Sequence, residues 1–185
     1  YIDGLKFDTS YFSKHFINDE KKAVCNLNNP YVLLLDGKLE NLTFLEKVLN
    51  NVANEGKELL IVTEHISENS LRKLESFVLS GSIRLCVIKS PGFAQHRRDL
   101  LKDMSYFTGA KVVSNFTSSC TTDNLGVLKS AKIEKTHSLL LKDDSINIED
   151  YLNELKELSK DADELTKQRY ESLSGKISLI NVGGH

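Results

Sequence analysis

The chain has 185 residues, 40% hydrophobic and 27% charged, with a net charge of −2, the make-up of one globular domain with a good core. This charge excludes a global field for nucleic acid or an anionic membrane surface, and no apolar run approaches the roughly 20 residues of a membrane span. Three scattered cysteines and five histidines without metal-ligand spacing argue against a disulfide framework or structural zinc and favour a reducing compartment.

Tyr1 is not an initiator methionine, and no signal-peptide pattern follows it. The sequence is therefore expected to be part of a longer protein, with any targeting segment in the remainder. Residues 1–29 read as irregular and polar. Tyr31-Val32-Leu33-Leu34-Leu35, bounded by Pro30 and Asp36-Gly37, predicts a buried strand. Leu42, Leu45, Val48, Leu49 and Val52 recur at helical spacing, with Gly56 as a fitting cap, so a helix is expected over 42–54. Leu59-Leu60-Ile61-Val62 predicts a second buried strand. A second helix follows over 69–79, with Leu71, Leu74, Val78 and Leu79 on or near one face, Leu74, Val78 and Leu79 expected to face the core, and Gly81 as the stop.

A third strand is expected over 83–88, then a turn at Pro91-Gly92 and a basic helix over 97–107, closed by Thr108-Gly109. Val112-Val113 begins another strand, and 131–148 reads as short strands, clearest at Ser138-Leu139-Leu140-Leu141. Residues 148–173 form a long charged helix or helix pair, with Leu152, Leu155 and Leu158 facing one way. Gly175 ends it, and Ile177-Ser178-Leu179-Ile180-Asn181-Val182 alternates like a final strand. Returned beside the segment by which the chain begins, that strand would bring the two ends together, as in a domain inserted into a larger protein. The alternation of strands and helices predicts an α/β core with a largely parallel sheet.

Enzyme motifs are missing: there is no G-x-S-x-G elbow, P-loop or G-x-G-x-x-G run. Asp36-Gly37-Lys38 reads as a plain turn. Glu64-His65 stands at a strand end, where α/β enzymes often place catalytic groups, but a lone pair is more simply structural. His96-Arg97-Arg98 sits where a helix start binds phosphate, although an exposed basic face is the favoured reading. Asp143-Asp144 lacks a third metal ligand nearby. Asn41-Leu42-Thr43 and Asn115-Phe116-Thr117 match the glycosylation sequon by chance, since no secretory context accompanies them.

Lys89-Ser90-Pro91-Gly92-Phe93, then Arg97-Arg98 and Thr108-Gly109-Ala110, resembles the apical domain of GroEL-type (group I) chaperonins. Their pattern there is lysine-alanine-proline-glycine-phenylalanine, followed by a basic helix ending in threonine-glycine-glycine. Further blocks fall in the same order: Gly4-Leu5-Lys6-Phe7-Asp8 with Tyr11 and Phe16-Ile17-Asn18; Gly56-Lys57, Leu59-Leu60-Ile61 and Glu64; Leu125-Gly126, Ala131-Lys132 and Lys142-Asp143; and Arg169, Leu173-Ser174-Gly175-Lys176-Ile177 and Val182-Gly183. The resemblance covers nearly the whole chain. It implies an α/β domain with a β-sandwich-like core flanked by helices, spanning 1–185, with hinges to an intermediate domain near Gly4 and Gly175.

The resemblance also implies an activity. Non-native polypeptide and the mobile loop of a co-chaperonin would bind in a groove between the helices over 42–54 and 69–79, with contacts from Tyr11, Phe16, Leu49 and Leu71. His15, Glu46, Glu75 and Ser76 depart from the family at groove positions, and the two carboxylates are expected to make the groove more acidic; Phe77 is a candidate compensation. No cofactor is implied for these residues. ATP and magnesium belong to an equatorial domain of the full-length family protein, as do the main contacts between ring subunits. The compartment would be bacterial cytoplasm, mitochondrial matrix or plastid. Two other readings stand beside this one: a specialised chaperonin subunit with weakened substrate binding, and an unrelated α/β enzyme using Glu64-His65.

Overall fold

The computed structural model describes residues 1–114, 116 and 119–177. In chain order the first half runs β1 (Ile2–Phe7), β2 (Cys25–Asn28), β3 (Tyr31–Leu34), β4 (Lys38–Leu39), α1 (Glu46–Asn54), β5 (Leu59–Thr63), β6 (His65–Ile66), α2 (Glu68–Leu79), β7 (Leu85–Lys89) and α3 (Ala94–Thr108). The second half adds β8 (Gly126–Val127), β9 (Ser130–Ile133), β10 (Ser138–Leu141), α4 (Glu149–Ser159), α5 (Glu164–Ser174) and β11 (Lys176–Ile177). The fold is mixed α/β.

One sheet has the order β7-β5-β3-β8, with β3, β5 and β7 parallel and β8 antiparallel. Its central strand β5 is buried at every position, as a strand covered on both faces requires. A second sheet, β11-β1-β10-β9-β2, is antiparallel throughout. Leu5, Phe7, Leu27 and Leu140 from it share one core with Val32, Leu60 and Val87 from the first sheet. The expectation of a largely parallel sheet therefore holds for β3, β5 and β7 and for the short two-stranded sheet β4-β6, which is also parallel.

Residues 1–29 are not irregular throughout: β1 and β2 lie within them. In β1, Leu5 and Phe7 are buried while Lys6 is exposed, and Gly4, Leu5, Lys6 and Phe7 pair with Leu141, Leu140, Leu139 and Ser138. In β2, Cys25 and Leu27 are buried between exposed Asn26 and Asn28. These strands are stabilised by partners more than a hundred residues away in the chain, so local polarity hides them. Gly4 is inside β1, where a Cβ would lie 2.1 Å from Ile177 Cδ1. β11 pairs Ile177 with Ile2 and Lys176 with Asp3, the return expected for the final strand; its predicted continuation over 178–182, and Val182-Gly183, lie outside the described residues. Val113 makes a single bridge to Leu35, and the strand signal in 131–148 ends at Leu141.

The helices close off the core. Ser67 caps α2 by accepting from Ser70 N–H, and Gly109 (φ 80°) ends α3 in the left-handed conformation with its N–H on Ser105 O. The charged segment is a helix pair. Arg169 on α5 donates to Asp103 on α3 at 2.8 and 2.9 Å, and Tyr151 on α4 donates to the same carboxylate at 2.5 Å. Burial and the Asp103 carboxylate push the Tyr151 hydroxyl far up, and the Asp103 hydrogen bonds raise Arg169 further. Leu155 is buried and Leu152 half-buried, but Leu158 is exposed, so the three leucines expected to face one way are not equally covered.

Candidate functional site

The segment before β2 lies along β7 and α2. Tyr11 bridges Ile88, Phe12 N–H donates to Val87 O at 2.9 Å, and the Tyr11 hydroxyl donates to Ala23 O at 2.9 Å. Ser13 then starts a short 3-10 turn, Lys14–Phe16, by accepting from His15 N–H at 3.1 Å. The Ser13 hydroxyl donates to the Glu75 carboxylate, which ties this turn to the middle of α2. Phe16 is only 2% exposed, while His15 faces solvent. Burial raises the Tyr11 hydroxyl above its ordinary range, with the neighbouring Cys86 and Cys25 thiols adding to it.

The two helices differ in what they present. On α1, Val48, Leu49 and Val52 are buried, whereas Glu46, Lys47, Asn50 and Asn51 are exposed. Leu49 is 8% exposed, so it belongs to the core and not to an open groove wall. On α2, Leu74 is fully buried, Leu71 and Val78 pack partly on the core, and Phe77 and Leu79 are 39% and 66% exposed. Leu79 thus does not face the core as expected. A cavity of about 370 Å³ lies between the 3-10 turn and the end of α2, lined by His15, Phe16, Ile17, Val78, Leu79 and Ile83 among others.

The predicted contacts are therefore only partly accessible. Tyr11 and Leu71 are half-buried; Phe16 and Leu49 are closed off. Glu46 and Ser76 are exposed, and Glu75 is half-buried and hydrogen-bonded to Ser13. Leu71, Val78 and Leu79 give α2 an apolar strip, and Val78 and Leu79 line the cavity; Phe77, two positions from Leu79, leaves the helix on the other flank. With about 3.6 residues per turn, Leu71, Leu74 and Val78 form one stripe and Leu79 falls beside it, which is the signal that marks Leu79 as outward-facing. Gly175 follows α5 in extended backbone (φ −70°, ψ 149°).

A second cluster gathers at the C-terminal ends of β5 and β7. Arg97, expected on an exposed basic face, is 8% exposed and donates to Asp36 at 2.5 Å; the turn at 36–38 brings the carboxylate to it. Glu64 Oε1 is 3.9 Å from Arg97 Nε. No hydrogen bond or ion pair joins Glu64 to His65 among the described residues. Gly92 (φ 82°) makes the preceding turn, and a Cβ on it would meet Arg97 N at 3.2 Å.

Among the described residues no group of three or more His, Cys, Asp or Glu is placed to hold a metal ion. The Asp143 carboxylate is taken by the Ser145 hydroxyl and by Ser145 N–H at 3.1 Å, which hold it below the usual range. Cys25, Cys86 and Cys120 are free and buried; burial, then a hydrogen bond with Cys25, pushes the Cys86 thiol well up. No helix among the described residues is long and apolar enough to cross a membrane. Comparison with models of known protein families finds none that matches this chain.

Proposed function

We propose that this chain is the polypeptide-binding apical domain of a divergent group I chaperonin, and that it captures non-native protein and a co-chaperonin loop without catalysing a reaction itself. The carrying observation is the apolar strip of α2 formed by half-buried Leu71 and Val78 and exposed Leu79, of which Val78 and Leu79 line the cavity below the 3-10 turn, with exposed Phe77 on the other flank of the helix. It sits on one of the two helices that the family resemblance designates. The strands and helices expected from the sequence between β3 and α3 are present in the fold.

Such a strip suits extended or helical segments of loose sequence. Each large apolar side chain contributes roughly 1.5–3 kcal/mol when fully buried, so a few partial contacts give weak, tolerant binding once ordering costs are subtracted. A ring of subunits would multiply it through avidity. Nucleotide hydrolysis is not proposed for these residues.

The burial of Phe16 and Leu49, with Glu46 and Ser76 facing solvent, favours a second reading in which general substrate binding has weakened. In that case changing Glu46, Glu75 and Ser76 together to apolar residues creates binding that the unmodified chain lacks. The deciding experiment is titration of the ¹⁵N-labelled chain with a reduced, unfolded protein. Shifts confined to the residues around Leu71, Phe77 and Leu79 are expected; the absence of shifts there contradicts the capture reading.

A further inference from the structure

The start of α3 carries a feature that polypeptide capture does not use. The cavity at the C-terminal ends of β5 and β7 is about 300 Å³ and is lined by Lys38, Glu64, His65, Lys89, Ser90 and Arg97, with the turn at Gly92, Phe93 and Ala94 closing one side. Two of the residues that line it each have a buried donor without a hydrogen-bond partner among the described residues: Ser90 Oγ and Arg97 Nη1. Ser90 is 2% exposed, and the Arg97 side chain is 9% exposed. Buried donors of this kind are rare and costly to leave unpaired.

The helix that begins here has 15 residues, and no side chain caps its first turn. Its first internal hydrogen bond runs from Arg97 N–H to Phe93 O at 3.2 Å. The earlier amides, at Ala94, Gln95 and His96, therefore have no carbonyl within the helix to meet. They add partial positive charge beside Lys38, Lys89 and Arg97. Opposing them are Asp36, which accepts from Arg97 Nη2, and Glu64, which lies 3.9 Å from Arg97 Nε. Two carboxylates against three cations, of which Lys38 and Lys89 are exposed, leave the pocket net positive before the helix dipole is counted. The location, beyond the carboxyl ends of parallel strands, is where open α/β sheets place ligands.

We infer that this cavity is a binding site for a phosphoryl oxyanion, held by the first amides of α3, the Ser90 hydroxyl, Arg97 and Lys89. An oxyanion would give both unpaired donors a partner once their side chains turn into the cavity, and would displace Glu64 from its long contact with Arg97. The exposed ring of Phe93, 83% accessible, stands at the mouth, where it would meet whatever carries the phosphoryl group.

The test is titration of the ¹⁵N-labelled chain with inorganic phosphate and, separately, with phenyl phosphate, against sodium chloride at matched ionic strength. Saturable shifts of the Ala94, Gln95 and His96 amides are expected with both. Tighter binding of phenyl phosphate identifies a phosphoryl group carried on a larger molecule, and equal binding identifies the free ion. Ser90→Ala removes a hydroxyl that has no partner in the protein, so the fold survives it; it is expected to weaken phosphate by about fivefold, and Lys89→Ala by a similar factor. Shifts no larger than those with chloride, or affinities unchanged in both variants, overturn the assignment. Arg97→Lys is the weaker probe, because it also disturbs the pair with Asp36.

Discussion

The Ser13 hydroxyl donates to the Glu75 carboxylate, so a residue that departs from the chaperonin pattern has a partner inside the same surface. Ser13 also accepts from His15 N–H, and the two bonds fix the 3-10 turn against α2. Glu75→Ala is expected to cost about 1–2 kcal/mol in urea denaturation. Ser13→Ala should cost a similar amount, and the double variant less than the sum, since both remove one interaction.

Asp103, Tyr151 and Arg169 join α3, α4 and α5 through one buried carboxylate. Asp103→Ala leaves Arg169 without its main partner and is expected to destabilise by about 3–5 kcal/mol. Tyr151→Phe keeps the ring stack with Tyr106 at 4.0 Å and removes only the hydroxyl, for about 1.5–3 kcal/mol. Equilibrium unfolding of the two variants should rank them in that order.

Ala94 begins α3 with φ 49°, a left-handed conformation that costs a residue with a Cβ roughly 1–2 kcal/mol. Ala94→Gly should therefore raise stability by up to about 1 kcal/mol after the entropic cost of glycine. Gly92→Ala should do the reverse, because φ is 82° and the new Cβ would press on the His96 ring at 3.1 Å. Thermal melts of both variants check the opposite signs.

Asp143 and Asp163 have carboxyls held below the ordinary value of 3.8. For Asp143 the Ser145 hydroxyl is the main cause, followed by Ser145 N–H; for Asp163 it is Thr166 N–H, then the Thr166 hydroxyl. Folding binds these groups in their ionised form, so their contribution is complete above the unfolded-chain value and is lost as pH falls through the lower folded values. Urea midpoints should drop on acidification below that point. The drop should shrink in Asp143→Asn and Asp163→Asn, which no longer titrate.

The strands β3, β5 and β7 and the helices α1, α2 and α3 were legible because each is signalled by nearby residues: continuous apolar runs, or leucines and valines at helical spacing ended by Gly56, Gly81 and Gly109. β1 and β2 were not, because Lys6 and Asn26 disguise strands whose partners lie far along the chain. The burial of Arg97 depends on Asp36, and that of Phe16 on the docking of the 3-10 turn; neither is encoded locally. On α1 and α2 the helices themselves were legible, but the directions of two side chains were not. Leu49 turned inward, and Leu79, read as core, carries the largest exposed apolar area on α2.

Capture by the α2 strip is tested most directly by the affinity of a fluorescently labelled, reduced unfolded protein for three forms of the chain. These are the unmodified chain, the double variant Phe77→Ser with Leu79→Ser, and Leu158→Ser, which removes an exposed leucine on α4. Loss of two partly buried apolar contacts should weaken binding about tenfold in the double variant, with Leu158→Ser unchanged. Binding that is undetectable in the unmodified chain, or equal in all three, contradicts the proposal.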